Sequence, residues 1–69
     1  MKNKYIVRWL DCGEMVTRLV ICALDAKQAL ALAFDQLVLD CNLYNGDLRD
    51  ATLIASCRLT GEEKRICFE

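Results

Sequence analysis

The stretch that decides the fold is Asp25–Tyr44, which reads Asp-Ala-Lys-Gln-Ala-Leu-Ala-Leu-Ala-Phe-Asp-Gln-Leu-Val-Leu-Asp-Cys-Asn-Leu-Tyr. It is the one long segment whose apolar residues recur with the period of an α-helix. Asp25 is a suitable N-cap, and Gln28 three residues later completes a capping-box pattern. Asn45-Gly46 is the C-terminal signal, although the helix could end as early as Cys41. We therefore predict one central helix with strands on either side.

The predicted helix carries two separate apolar faces. At about 100° per residue, the first face is wide enough to cover a sheet, with Ala29 and Val38 at its margins. The second is a row of three leucines on another side of the helix, and two interpretations of it stay open. Either a loop folds over it, or it is a surface for self-association or for a partner. The first face consists of Ala26, Leu30, Ala33, Phe34, Leu37 and Cys41, and the leucine row of Leu32, Leu39 and Leu43.

Two strands are predicted before the helix, at Tyr5–Leu10 and Met15–Ala23, because apolar and polar residues alternate or β-branched residues dominate there. We predict a three-residue loop with Gly13 in the left-handed conformation and an adjacent bulge. A two-residue loop is rejected, since it would place Arg18 beside Trp9. The chosen register gives a core face made of Tyr5, Val7, Trp9, Met15, Thr17, Leu19 and Ile21.

Two more strands are predicted after the helix, at Ala51–Leu59 and Lys64–Phe68, joined by a turn at 60–63. The sum is an α+β fold of order β-β-α-β-β, in which one helix packs on one face of an antiparallel sheet built from two hairpins. We expect residues 1–69 to form a single small domain. The hairpins either join into one four-stranded sheet or pair with those of another copy. Inward-facing residues are Leu53, Ala55, Cys57, Leu59, Ile66 and Phe68, whereas Arg65 and Cys67 face out.

Composition points to binding rather than to a monomer without partners. Apolar residues make up 55% of only 69 residues, a high share for a chain that can bury only a small core. This excess favours a homo-oligomer, in its simplest form a homodimer, or a docked protein partner. The net charge is −1, so no global field attracts nucleic acid or an acidic membrane. The N-terminal apolar run is too short and too charged for a signal peptide or a membrane span, so we expect no membrane association.

The chain has no histidine, which removes the usual general base and the commonest zinc ligand. The acidic segment that begins at Asp40 fails the calcium-loop pattern, with Asn45 and Ala51 at the two diagnostic positions. The carboxylates of Glu62 and Glu63 fall in a turn and are expected to be solvated. We therefore expect no enzymatic activity, no catalytic residues, no metal and no cofactor.

Five cysteines, at 12, 22, 41, 57 and 67, are odd in number and widely spaced. This spacing favours reduced thiols and a cytoplasmic location over a disulfide framework. Four of them lie in apolar runs and are expected to behave as small hydrophobic residues. Cys12 falls in a turn, where the carboxylates of Asp11 and Glu14 should raise its pKa and keep it unreactive.

The outward face of the predicted sheet gathers arginines between apolar residues. Three interpretations stay open: an ordinary solvated face, a protein interface, or a surface for nucleic-acid phosphates. The last lacks exposed aromatic residues for base stacking, since Tyr5, Trp9 and Phe68 sort to the core. The candidate partner-binding residues are Arg8, Arg18, Arg58 and Arg65 together with Leu32, Leu39 and Leu43.

In size and class the chain is similar to short accessory proteins of phages and mobile elements, including inhibitors of the anti-CRISPR type. That similarity rests on no particular residue and assigns no site. It implies a small α+β domain that acts by occluding a larger complex. The expected function is thus non-catalytic binding of another macromolecule, with a protein as the preferred partner. The alternative is a nucleic-acid-binding module that uses the arginines.

Overall fold

The computed structural model describes residues 2–40 and 50–68 and contains one helix and four strands within them. The strands are β1 (Asn3–Asp11), β2 (Glu14–Ala23), β3 (Ala51–Ser56) and β4 (Glu63–Cys67), and the helix is α1 (Ala26–Asp40). All pairings are antiparallel, and the strand order is β2-β1-β3-β4. The predicted α+β class and β-β-α-β-β order are therefore confirmed, and the two hairpins form one sheet.

Helix α1 begins where the sequence predicts. The backbone amide of Gln28 donates to the Asp25 carboxylate at 2.7 Å, which is the N-cap contact. The Gln28 side chain accepts from the amide of Leu24 at 2.7 Å, one residue before the position that a standard capping box uses. The predicted C-terminal signal and Cys41 lie outside the described residues.

One face of the sheet packs on α1 and forms the core. Small side chains at Ala26, Ala29 and Ala33 are fully buried, so the helix backbone lies close to the sheet. Trp9, Leu19, Phe34 and Phe68 pack around this centre and stay partly exposed. The buried centre consists of Tyr5, Val7, Ile21, Ala23, Ala26, Ala29, Leu30, Ala33, Leu37, Leu53, Ala55 and Cys57.

The first hairpin shows that the prediction of a three-residue loop was wrong, although the strand pairing predicted from it is right beyond the turn. Asp11 pairs with Glu14, so the loop has two residues, Cys12 and Gly13, both with positive φ as in a type I′ turn. A register shift between Trp9 and Leu10 then restores the predicted pairing from Trp9 onward.

That bulge places Met15 opposite Leu10, on the face away from the helix, where it is 58% exposed. The assignment of Met15 to the core was therefore wrong.

The second hairpin is shorter on one side than predicted. Strand β3 ends at Ser56, and the chain turns so that the amide of Gly61 donates to the carbonyl of Cys57 at 2.8 Å. Leu59 lies in this turn and is 84% exposed, so its assignment to the core was wrong. The predicted directions of Ile66, toward the helix, and of Arg65 and Cys67, away from it, agree with the β3–β4 register.

Candidate functional site

The sheet face opposite α1 is uncovered in the part of the chain that the structure describes. We call it the outer face. It carries Lys4, Ile6, Arg8 and Leu10 of β1, Met15, Arg18, Val20 and Cys22 of β2, Thr52, Ile54 and Ser56 of β3, and Glu63, Arg65 and Cys67 of β4. Its apolar residues include Val20, which is 61% exposed. A solvated face has little reason to combine such residues with so many cations.

A single transverse row on the outer face holds three of the predicted arginines. Arg18 pairs with Arg8, Arg8 with Ile54, and Ile54 with Arg65. Because neighbouring strands lie about 4.8 Å apart, the row spans roughly 14 Å. Like charges directly opposite each other are destabilising. The Arg8–Arg18 pair therefore costs stability in the free protein, a cost that an anionic partner would relieve.

One carboxylate offsets the row in part. A Glu63 oxygen lies 3.8 Å from Nη2 of Arg8, in a pair whose side chains are 40% and 53% exposed. Such an exposed pair contributes little to stability. Ile54, between Arg8 and Arg65, is only 7% exposed although no described helix covers it. Arg8 and Arg65 flank Ile54 in the register, and long cationic side chains can cover apolar surface with their alkyl stems while their heads stay in water.

The fourth predicted arginine extends the same surface. Arg58 lines a shallow hollow of about 180 Å³ with Lys4, Ile6 and Leu59, beside the β1 end of the outer face. The structure therefore brings Arg8, Arg18, Arg58 and Arg65 to one side of the sheet.

The described aromatic residues all lie on the helix side of the sheet. Tyr5 is buried, and Trp9 packs against the core. The rings of Phe34 and Phe68 stack on each other with centroids 5.4 Å apart. In the described ranges the outer face thus presents cations and aliphatic side chains with no platform for stacking bases.

The leucine row is only partly visible. Leu32 is 42% exposed and Leu39 is 79% exposed. Leu43 lies outside the described residues. The two described members are seven residues apart, which places them on one side of α1 and away from the arginines.

Glu62 is the polar residue that sequence reasoning missed. Its carboxylate accepts from the Tyr5 hydroxyl at 2.5 Å and from the Ala26 amide at 3.3 Å. It thus caps the first turn of α1 from a loop 36 residues away and satisfies a buried phenol. The hydrogen bond to Glu62, and then burial, raise the pKa of Tyr5 to about 12. A tyrosine on a predicted core face was the available signal, because a buried hydroxyl requires a partner.

The described cysteines differ from the sequence expectation in their exposure. Cys12, Cys22 and Cys67 are exposed and Cys57 is buried, all with free thiols, whereas Cys41 lies outside the described residues. The negative charge of Asp11 raises the pKa of Cys12, as predicted. Hydrogen bonds from the Thr60 side chain and backbone lower the pKa of Cys57. Cys22 and Cys67 lie on opposite edge strands, so no two of these thiols are cross-strand neighbours.

Within residues 2–40 and 50–68, no three acidic or cysteine side chains converge into a group that could hold a metal ion. No helix in those ranges has the length and hydropathy needed to cross a membrane.

No protein-family model, curated protein or solved structure matches this chain. Its function must therefore be argued from the surfaces described above.

Proposed function

We propose that this chain is a non-catalytic binding protein whose outer face docks on a protein partner that presents carboxylates around an apolar patch. The observation that carries the proposal is the arginine row, Arg18, Arg8 and Arg65, on a sheet face that no described element covers. Arginine and aliphatic residues together are typical of interface centres. Buried carboxylates of a partner would also relieve the repulsion between Arg8 and Arg18.

The proposed compartment is the cytoplasm. Three exposed and unpaired thiols, Cys12, Cys22 and Cys67, favour a reducing environment over an oxidising one.

The alternative function is binding of nucleic-acid phosphates by the same cations. The excess of positive charge on the outer face favours it, with Lys4, Arg8, Arg18, Arg58 and Arg65 against Glu63. The lack of a described stacking aromatic on this face argues for the protein partner instead. Salt dependence separates the two, because affinity for nucleic acid falls steeply as salt rises.

The test compares two double variants with the same change of charge on opposite sides of the sheet. Arg8→Glu with Arg18→Glu reverses the centre of the outer face, whereas Lys27→Glu with Lys64→Glu reverses cations on the helix side. Each protein is immobilised and exposed to nuclease-treated extract, and every retained protein is purified and its binding measured directly. We expect a partner that the wild type and the helix-side variant bind and that the outer-face variant binds at least about tenfold more weakly.

Two results would contradict the proposal. A partner that binds the outer-face variant as well as the wild type would remove the arginine row from the interface. Gel shifts of DNA or RNA that weaken steeply with salt and vanish in the outer-face variant would establish the nucleic-acid alternative.

A further inference from the structure

Strand β4 offers a free set of backbone hydrogen-bonding groups. The Phe68 amide donates to the Ala51 carbonyl at 2.9 Å, and the Cys57 amide donates to the Glu62 carbonyl at 2.9 Å. Hydrogen-bonded and non-hydrogen-bonded pairs alternate along an antiparallel ladder. The register therefore turns the amides and carbonyls of Glu63, Arg65 and Cys67 away from β3. In the described part of the chain, β4 is an edge strand with no neighbour on that side.

A groove runs beside this edge on the helix side of the sheet. It has a volume of about 500 Å³, within the range of sites that hold a small ligand or an anchoring side chain. Its floor is apolar and consists of Leu30, Phe34, Leu53, Ile66 and Phe68. Ile66 remains 43% exposed although it faces the helix, so the groove leaves apolar surface in contact with water.

The lips of the groove are mainly cationic. Lys27 and Lys64 line it against one carboxylate, Asp35, whereas Arg65 also lines it but directs its side chain to the outer face. An occupant that is apolar at its centre and acidic beside it would match this distribution of charge. A second copy of the chain fits poorly as the occupant, because its β4 edge would bring Lys64 and Arg65 rather than the acidic residues that complement this charge.

We propose that β4 and the groove bind an extended acidic peptide segment, which adds to the sheet as a fifth strand. The peptide backbone pairs with the free groups of Glu63, Arg65 and Cys67, which provides affinity with little dependence on sequence. Every second side chain of the peptide then points to the helix side. An apolar side chain opposite Ile66 enters the groove, and a carboxylate opposite Lys64 meets the cations on its lip.

This site lies on the opposite side of the sheet from the outer face, so it goes beyond the proposed function and stands without it. Only Arg65 belongs to both sites: its backbone is part of the β4 edge, and its side chain is part of the outer face. For that reason the outer-face variant, Arg8→Glu with Arg18→Glu, should bind groove peptides as the wild type does. The experiments therefore distinguish a failure of the peptide-binding proposal from a failure of the outer-face proposal.

The probe is a phage-displayed library of random heptapeptides, selected on the wild-type protein. We expect enrichment of sequences in which a bulky apolar residue and an aspartate or glutamate are two positions apart, so that both side chains point to the helix side. One enriched peptide is then synthesised with a fluorophore, and its affinity is measured by anisotropy. No enrichment above background, or enrichment without acidic residues, would overturn the proposal.

The decisive variant is Arg65→Pro, with Arg65→Ala as its matched control. Proline removes an amide that points away from β3, so the sheet retains its internal pairing, but an added strand loses a hydrogen bond and meets the ring. Circular dichroism confirms folding. We expect Arg65→Pro to weaken binding at least about tenfold, and Arg65→Ala, which retains the amide, to weaken it by no more than about threefold. Equal losses in the two variants would overturn strand addition.

A change in the peptide tests the same backbone hydrogen bonds and does not depend on whether the Arg65→Pro protein folds. Methylation of alternate backbone amides should abolish binding when the methyl groups face β4 and leave it within about twofold when they face away. If both methylated peptides bind equally and oleate displaces them, the groove is a pocket for amphipathic anions, and strand addition is wrong. Whether the site adds a strand or is such a pocket, Lys64→Glu should weaken binding of the acidic peptide. A peptide in which lysine replaces the acidic residue should then bind the variant.

Discussion

At the scale of single residues, the hydrogen bond between Tyr5 and Glu62 links stability to pH. The phenol is 1% exposed, and its hydroxyl donates to a carboxylate, which holds the proton on Tyr5. The folded-state pKa is raised to about 12 from an ordinary value of about 10. A group whose folded pKa is raised contributes stability that is fully present below the unfolded pKa and is lost as pH rises through the folded one.

We therefore predict that Tyr5 stabilises the fold up to about pH 10 and loses that effect between pH 10 and 12. Urea midpoints of the wild type and Tyr5→Phe should differ by a constant amount below pH 10 and converge toward pH 12. Tyr44 and the lysines are present in both proteins, so their titration cancels in the difference. A difference that stays constant across this window would show that the Tyr5 pKa is not raised.

At the scale of elements, the first hairpin shows how local chemistry and a long strand pair are reconciled. Its two-residue turn places Cys12 at φ 55° and Gly13 at φ 87°. Glycine suits such a conformation, but cysteine does not, because its Cβ crowds the backbone. Strands nine and ten residues long hold Cys12 in place, and the bulge beyond Leu10 then returns the alternation to the correct faces.

We predict that Cys12→Asn raises the melting temperature by about 2–5 °C, because asparagine adopts positive φ readily and Asn-Gly is the preferred type I′ pair. Gly13→Ala is the opposite control. An added Cβ there would meet no atom within 4 Å, so its cost is backbone strain alone, about 1–2 kcal/mol. Calorimetry of both variants checks the turn type; an unchanged or lower melting temperature for Cys12→Asn would contradict it.

At the scale of the whole molecule, apolar residues exceed what one small core holds. Leu32 and Leu39 of the leucine row, and Val16 and Val20 of β2, remain more than 40% exposed. Burying what remains exposed of the two leucines would contribute roughly 2–4 kcal/mol before the entropy of association is subtracted. That magnitude is enough to support a weak self-association if both copies contribute.

We predict that Leu32→Glu with Leu39→Glu keeps the fold and lowers the oligomeric state measured by light scattering. Val16→Glu with Val20→Glu makes the same change of charge at exposed positions of β2 and should leave the mass unchanged. A mass that is the same for the wild type and the leucine variant would show that the leucine row is not the contact. Loss of the oligomer in the valine variant would assign the contact to β2 instead.

Much of the fold was predictable because its signals are local. The capping contact between Asp25 and Gln28 depends on residues three apart, and the helix period selects the buried alanines. The two-residue period of the strands placed Arg8 and Arg18 on one face, and the structure pairs them directly. The loop length was mispredicted because a bulge and a longer loop sort the residues beyond Trp9 in the same way.

The amino-acid sequence by itself determined which side of each element is apolar, where α1 begins and that arginines point away from it, because these properties follow from residues within a few positions of each other. Only the tertiary structure decided the strand order, the free edge of β4 with its groove, and the link from Glu62 to Tyr5 across 57 residues. Contacts so distant along the chain depend on how the hairpins dock on the helix, and no local pattern records that choice.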